Sequence, residues 1–120
     1  MDNLQALDKF WNGFGLPAYD FTTVPDDAET PYITYEVADD VFGNQRQLSA
    51  SLWYRSTSWE EITKKAKEIS QFITRGGTMI PTDDGAIWIK TGTPWAQRLE
   101  EPDDDSIRRI VLAIEVEFIS

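Results

Sequence analysis

The side chains best suited to chemistry in this chain are carboxylates in pairs and runs: Asp26-Asp27, Asp39-Asp40, Asp83-Asp84 and Asp103-Asp104-Asp105. Neighbouring carboxylates can ligate a hard cation, or divide acid and base roles across a glycosidic bond. Each group nevertheless stands where the surrounding residues predict a turn, and Asp favours turns because its side chain accepts hydrogen bonds from its own backbone. The run at 103 to 105 is the best placed for a cation. It lacks the glycine and the downstream glutamate that an EF-hand loop needs. The chain has no histidine and no cysteine, so a Cys/His zinc site, a Ser-His-Asp or Cys-His nucleophile pair and a disulfide are all excluded.

Other motifs read as architecture. Gly76-Gly77 and Gly13-x-Gly15 do not stand between a strand and a helix start, and no Gly-Lys-Ser/Thr follows, so they are helix stops and not phosphate cradles. Lys64, Lys65, Lys67 and Arg75 form a basic stretch with interleaved glutamates, which reads as a solvated helix face. Of the five tryptophans, Trp11 and Trp59 fall on apolar helix stripes and are expected in the core. Trp53 faces away from Leu48, Ala50 and Leu52, Trp88 faces away from Ile87 and Ile89, and Trp95 is expected in a loop. These three are candidate contacts, because exposed aromatic side chains concentrate at protein interfaces. No catalytic residue, metal site or cofactor is expected, and the chain is not read as an enzyme.

The elements that must position these residues follow from periodicity. Leu4, Leu7, Trp11 and Phe14 recur at helical spacing, and Gly13 and Gly15 end that first helix. A long connection follows from Leu16 to Pro31, in which Tyr19, Phe21 and Val24 pin an extended segment. Residues 32–38 alternate as a strand with Ile33, Tyr35 and Val37 inward, and 48–55 alternate again with Leu48, Ala50, Leu52 and Tyr54 inward. These two runs are expected to pair as an antiparallel hairpin around Gly43-Asn44. Ser58-Trp59-Glu60-Glu61 has the form of a capping box. It opens a helix whose Trp59, Ile62, Ala66, Ile69 and Ile73 face inward and which Gly76-Gly77 stops. Strands 78–82 and 86–91 flank Asp83-Asp84-Gly85, and Pro81 marks the first as short or at an edge. A second long connection is expected over 93–105. The chain then closes on a strand over 107–119 with Ile110, Leu112, Ile114, Val116 and Phe118 on one face. This order predicts a single α+β domain over residues 1–120, with one mostly antiparallel β-sheet and two helices packed on one face.

Composition bounds the partners. The 120 residues carry 21 Asp plus Glu against 11 Lys plus Arg, a net charge of −10. That charge opposes unaided binding to a phosphate backbone. The excess is uneven. It lies in residues 1–30 and in the run Glu100, Glu101, Asp103, Asp104 and Asp105, whereas the predicted packed elements are nearly neutral. No apolar run approaches a membrane span, and the first residues lack the features of a signal peptide, so a cytoplasmic site of synthesis without membrane association is expected.

Taken together, the N-terminal helix, the Pro31-Tyr32-Ile33-Thr34-Tyr35 strand entry and the hairpin ending Leu52-Trp53-Tyr54-Arg55 form a recognisable outline. With the Ser58-capped helix and the closing Ile114-Glu115-Val116-Glu117-Phe118, it resembles the tail terminator and head-tail joining (neck) proteins of tailed bacteriophages and prophages. The resemblance implies a virion structural protein, made in the bacterial host cytoplasm. It would form a homohexameric ring that caps the tail tube and docks to the head, with the tail tube protein and a head-completion or connector protein as partners. Other neck, minor capsid or tail-completion proteins share the outline. Glu100, Glu101, Asp103, Asp104 and Asp105 are carried as candidate lumen or interface residues beside Trp53, Trp88 and Trp95. An acidic, inhibitor-like protein-binding module is the alternative from another class. A metal-dependent hydrolase is disfavoured by the missing histidines and the turn positions of the Asp groups.

Overall fold

A computed structural model describes residues 1–37 and 45–119. Helix α1 (Asn3–Trp11) opens on Asp2, whose Oδ1 accepts from the Gln5 amide at 2.8 Å while Gln5 Oε1 accepts from the Asp2 amide at 3.1 Å. Two otherwise free N–H groups are thereby satisfied reciprocally. Its buried residues are Ala6, Leu7, Phe10 and Trp11. Leu4, expected on that stripe, is 42% exposed. The inward face is turned towards Phe10, whose ring meets Trp11 and Phe14 edge-on at 4.9 and 5.3 Å. A 3-10 turn (Asn12–Phe14) then ends on Gly15 at φ 81°.

Helix α2 (Glu60–Ile73) buries Ile62, Ala66, Ile69 and Ile73, as their spacing predicts, with Glu60 and Glu61 in its first turn. Both of its ends differ from expectation. Ser58 Oγ accepts from the Glu60 amide at 3.1 Å, two residues on, and Trp59 takes the N-cap position, so the reciprocal box lies at Asp2 and Gln5 instead. At the far end the first residue of positive φ is Thr74 (φ 66°, ψ 169°), not a glycine. Its hydroxyl donates to the Gly77 carbonyl at 3.1 Å, which holds a conformation that β-branched residues rarely adopt. Gly77 itself (φ 87°) sits where a Cβ would lie 2.5 Å from Trp88 Nε1 and 2.7 Å from the Ile89 carbonyl oxygen.

Six strands form one strongly curled sheet. They are β1 (Ala18–Asp20), β2 (Tyr32–Tyr35), β3 (Gln45–Arg55), β4 (Thr78–Thr82), β5 (Gly85–Leu99) and β6 (Ile107–Ile119), in the order β1-β2-β3-β6-β5-β4. β1 runs parallel to β2, and every other pair is antiparallel. The β2–β3 pairing follows the alternation, although β3 begins at Gln45, ahead of Leu48. Asp39-Asp40 and the Gly43-Asn44 turn lie outside the described residues. β4 takes an edge, and Thr82 stands opposite Gly85 around Asp83-Asp84. In the early connection Tyr19 meets the Tyr32 ring at 5.9 Å, and Phe21 donates its amide to the Tyr35 carbonyl at 3.0 Å while its side chain is 56% exposed.

The expected connection over 93–105 is largely strand. β5 continues to Leu99, with a register shift between Thr91 and Ala96 before pairing to β6 resumes from Ala96 opposite Leu112. The backbones approach closely at the shift, since a Cβ on Gly92 would lie 2.9 Å from that of Ala113. Such a bulge breaks the two-residue period by which a strand is recognised in sequence. The acidic connection therefore shrinks to residues 100–106.

Ile33 and Tyr35 of β2, Leu48 to Tyr54 of β3 at alternate positions, Ile87 and Ile89 of β5, and Ile110 to Phe118 of β6 at alternate positions are buried. They join the inward residues of both helices in one cluster. Burying each large aliphatic side chain there contributes about 1.5–3 kcal/mol before conformational entropy is subtracted. The domain is thus α+β, with a mixed, mostly antiparallel sheet of six strands and two helices.

Candidate functional site

Directly opposed residues on neighbouring strands share a face of the sheet. Tyr32 opposes Trp53, Trp53 opposes Arg109, and Arg109 opposes Leu99, so these four form a transverse row on the face away from the core. The Tyr32 and Trp53 rings stack at 6.3 Å and 24°, and the Arg109 guanidinium lies 4.5 Å from the Trp53 ring centre. Trp53 Nε1 donates to Thr34 Oγ1 at 3.0 Å, and Arg109 Nε donates to Ser51 Oγ at 3.1 Å. Polar atoms at the base of the row are thus tied down, and the apolar ring surfaces hold fixed positions.

At one end this row opens into a cleft of about 580 Å³. Tyr32 and Trp53 line it from the sheet, Glu29 from the connection before β2, and Glu101, Asp103 and Asp104 from the connection before β6. Arg55 also lines it, 3.5 Å from Asp104 Oδ2 and donating to Ser106 Oγ at 2.7 Å. Arg109 reaches Glu101 at 3.8 Å. Asp104 Oδ1 accepts from the Ser106 hydroxyl at 2.6 Å and the Ser106 amide at 2.9 Å. These two bonds, and secondarily the Arg55 charge, hold the Asp104 carboxyl below the usual aspartate range. Glu29 and Asp103 have no cation within ion-pair distance among the described residues.

The other flank of the same connection borders a second cleft of about 610 Å³, where Glu100, Glu101 and Asp105 meet Thr57, Trp59 and Arg108. Arg108 ties the connection down by donating to the Asp105 carbonyl at 2.6 Å and the Thr57 carbonyl at 3.0 Å. Its guanidinium and that of Arg98 lie over the half-buried Trp59 ring at 5.3 and 4.8 Å.

Of the residues singled out in sequence, Trp53, Glu101, Asp103 and Asp104 come together in the first cleft, and Glu100 and Asp105 line the second. Trp88 and Trp95 lie elsewhere. Trp88 shares the outward face but opposes Glu117 and Met79. From Arg109 to Glu117 along β6 is about 26 Å at about 3.3 Å per residue. The Trp88 ring carries Lys90 at 4.5 Å, and its Nε1 donates to the Gly76 carbonyl at 3.1 Å. Trp95 is not in a loop. It belongs to the far part of β5, packs against the core, and buries its Nε1 without a partner among the described residues.

Sequence reasoning missed Glu29, Tyr32, Arg55 and Arg109. The outward position of Arg109 is visible in the β6 alternation, but its register against Trp53 is not. Among the described residues, no three acidic groups gather closely enough to hold a metal ion. No described helix is long and apolar enough to cross a membrane. The chain matches no protein-family model and no curated protein sequence.

Proposed function

We propose that this chain is a structural protein of phage morphogenesis at the head-tail junction, a tail terminator protomer that forms a ring, caps the tail tube and docks to the head. The observation that carries the reading is the outward row of Tyr32, Trp53 and Arg109 ending in carboxylate-bearing connections. Rigid aromatic side chains beside an anchored arginine suit contact with another protein. Carboxylates grouped on connections repel a passing duplex. In this reading the two helices form a layer on the core face, leaving the outward face and the sheet edges β1 and β4 to neighbours. A cyclic ring needs two different complementary patches per subunit, and an open sheet with unlike edges offers them. The protein acts in the virion without catalysis or cofactor, its partners being further copies of itself, the tail tube protein and a head-completion or connector protein.

The acidic binding-module reading also gains support from one feature. Glu29 and the Glu101–Asp104 segment, far apart in sequence, line the same cleft, so the carboxylates form one surface suited to a basic partner. Both readings are separated by mass. Light scattering over a concentration series is expected to give a species of about six times the 13.7 kDa chain. A monomer at every concentration overturns the ring.

A further inference from the structure

Resting on the assembly reading, we infer that the cleft between Glu29 and the Glu101–Asp104 segment docks an extended, arginine- or lysine-bearing segment of a neighbouring protein in that assembly. Four carboxylates line this cleft against one guanidinium, that of Arg55. Two of the four are already served from within: Glu101 by Arg109 and Asp104 by Arg55. Glu29 and Asp103 have no such partner among the described residues. The unmatched charge therefore sits on two different connections of the cleft wall, Glu29 on the one before β2 and Asp103 on the one before β6.

This division of the carboxylates between two connections selects the ligand class. A single divalent ion needs several oxygens converging on one point, and no three acidic groups do so among the described residues. A phosphate-bearing ligand is repelled. Cationic side chains spaced along an extended backbone meet separated carboxylates one by one, and their stems lie on aromatic surface. The protein already uses this pairing for its own side chains, with Arg109 over Trp53 and both Arg98 and Arg108 over Trp59. A volume of about 580 Å³ falls in the range of sites that enclose a few side chains. The net charge of −10 draws a basic segment in and speeds its encounter.

The test uses the full chain and a short synthetic peptide of alternating arginine and serine, with alternating glutamate and serine as the control. Binding is followed by calorimetry, and its position by amide and indole NMR shifts. The variant pair Glu29→Gln/Asp103→Asn removes only carboxylates without internal partners, so folding is preserved. It is compared with Asp84→Asn/Glu115→Gln, which removes the same charge outside the cleft. The inference expects the first pair to weaken the arginine peptide by about tenfold or more, the second by less than about threefold, and shifts centred on Tyr32, Trp53 and Ile107. Equal weakening by the two pairs, or shifts centred elsewhere, overturns the cleft assignment. Ring formation is read separately by light scattering without peptide. A ring that closes while the cleft pair has no selective effect defeats this inference alone, and selective binding by a chain that never assembles defeats the assembly reading alone.

Discussion

Strand β6 presents two faces that obey different rules. Its inward residues Ile110, Leu112, Ile114, Val116 and Phe118 are at most 3% exposed, whereas Arg109, Val111 and Ala113 are half-buried and Glu115 is exposed. One face is committed to the core. The other holds the arginine that lies over Trp53 and reaches Glu101. Fold and surface chemistry are thus carried by alternate residues of the same strand, and substitutions on the two faces should separate cleanly.

The largest expected effect is on the inward face. Leu112→Ala removes a side chain with no exposed surface and should destabilise the domain by about 2–5 kcal/mol in urea unfolding. A loss below about 1 kcal/mol would mean that this face is not the core. Next comes Gly77→Ala, which adds a methyl 2.5 Å from Trp88 Nε1 at a residue of φ 87°. Overpacking and backbone strain should together lower stability by about 1–3 kcal/mol, read as a drop in Tm. An unchanged Tm would show that the turn after α2 yields freely.

On the outward face, Trp53→Phe keeps an aromatic ring but removes the donor to Thr34 Oγ1. A loss of about 0.5–1.5 kcal/mol is expected, without change in the far-UV circular dichroism. A loss as large as that of Leu112→Ala would erase the distinction between the two faces. The smallest effect belongs to Asp104. Its carboxyl is held low by Ser106 and then by Arg55, so it binds its proton less readily in the folded chain than in the unfolded one. Its stabilisation is therefore present above the ordinary aspartate range and is lost as pH falls through the lower, folded value. Asp104→Asn should flatten that acid limb of the stability profile, and an identical limb in the variant would show that Asp104 does not contribute to it.

How much of this was legible in the sequence depended on whether a local period survived. The inward residues of β6 and α2 were readable because two-residue and helical spacings run unbroken through them. The second half of β5 was hidden because the shift between Thr91 and Ala96 changes which residues face inward, and Thr93-Pro94-Trp95 then resembles a loop. The same shift makes Trp95 read as a loop residue in the sequence. At the two ends of α2 a serine and a pair of glycines permit several caps, and only the surrounding packing selects among them. The carboxylates of the cleft were recognised as chemistry-bearing groups on connections. Their meeting with Glu29 was not readable, because it depends on how β2, β3 and β6 align side by side, a long-range register that no local pattern encodes.

The most direct test of the proposed terminator role is electron microscopy of phage-like particles from lysates of cells that carry this gene, intact or deleted. Overgrown tails that fail to join heads are expected without it, and restored by supplying the chain in trans. Tails of normal length joined to heads in its absence would contradict a terminator role.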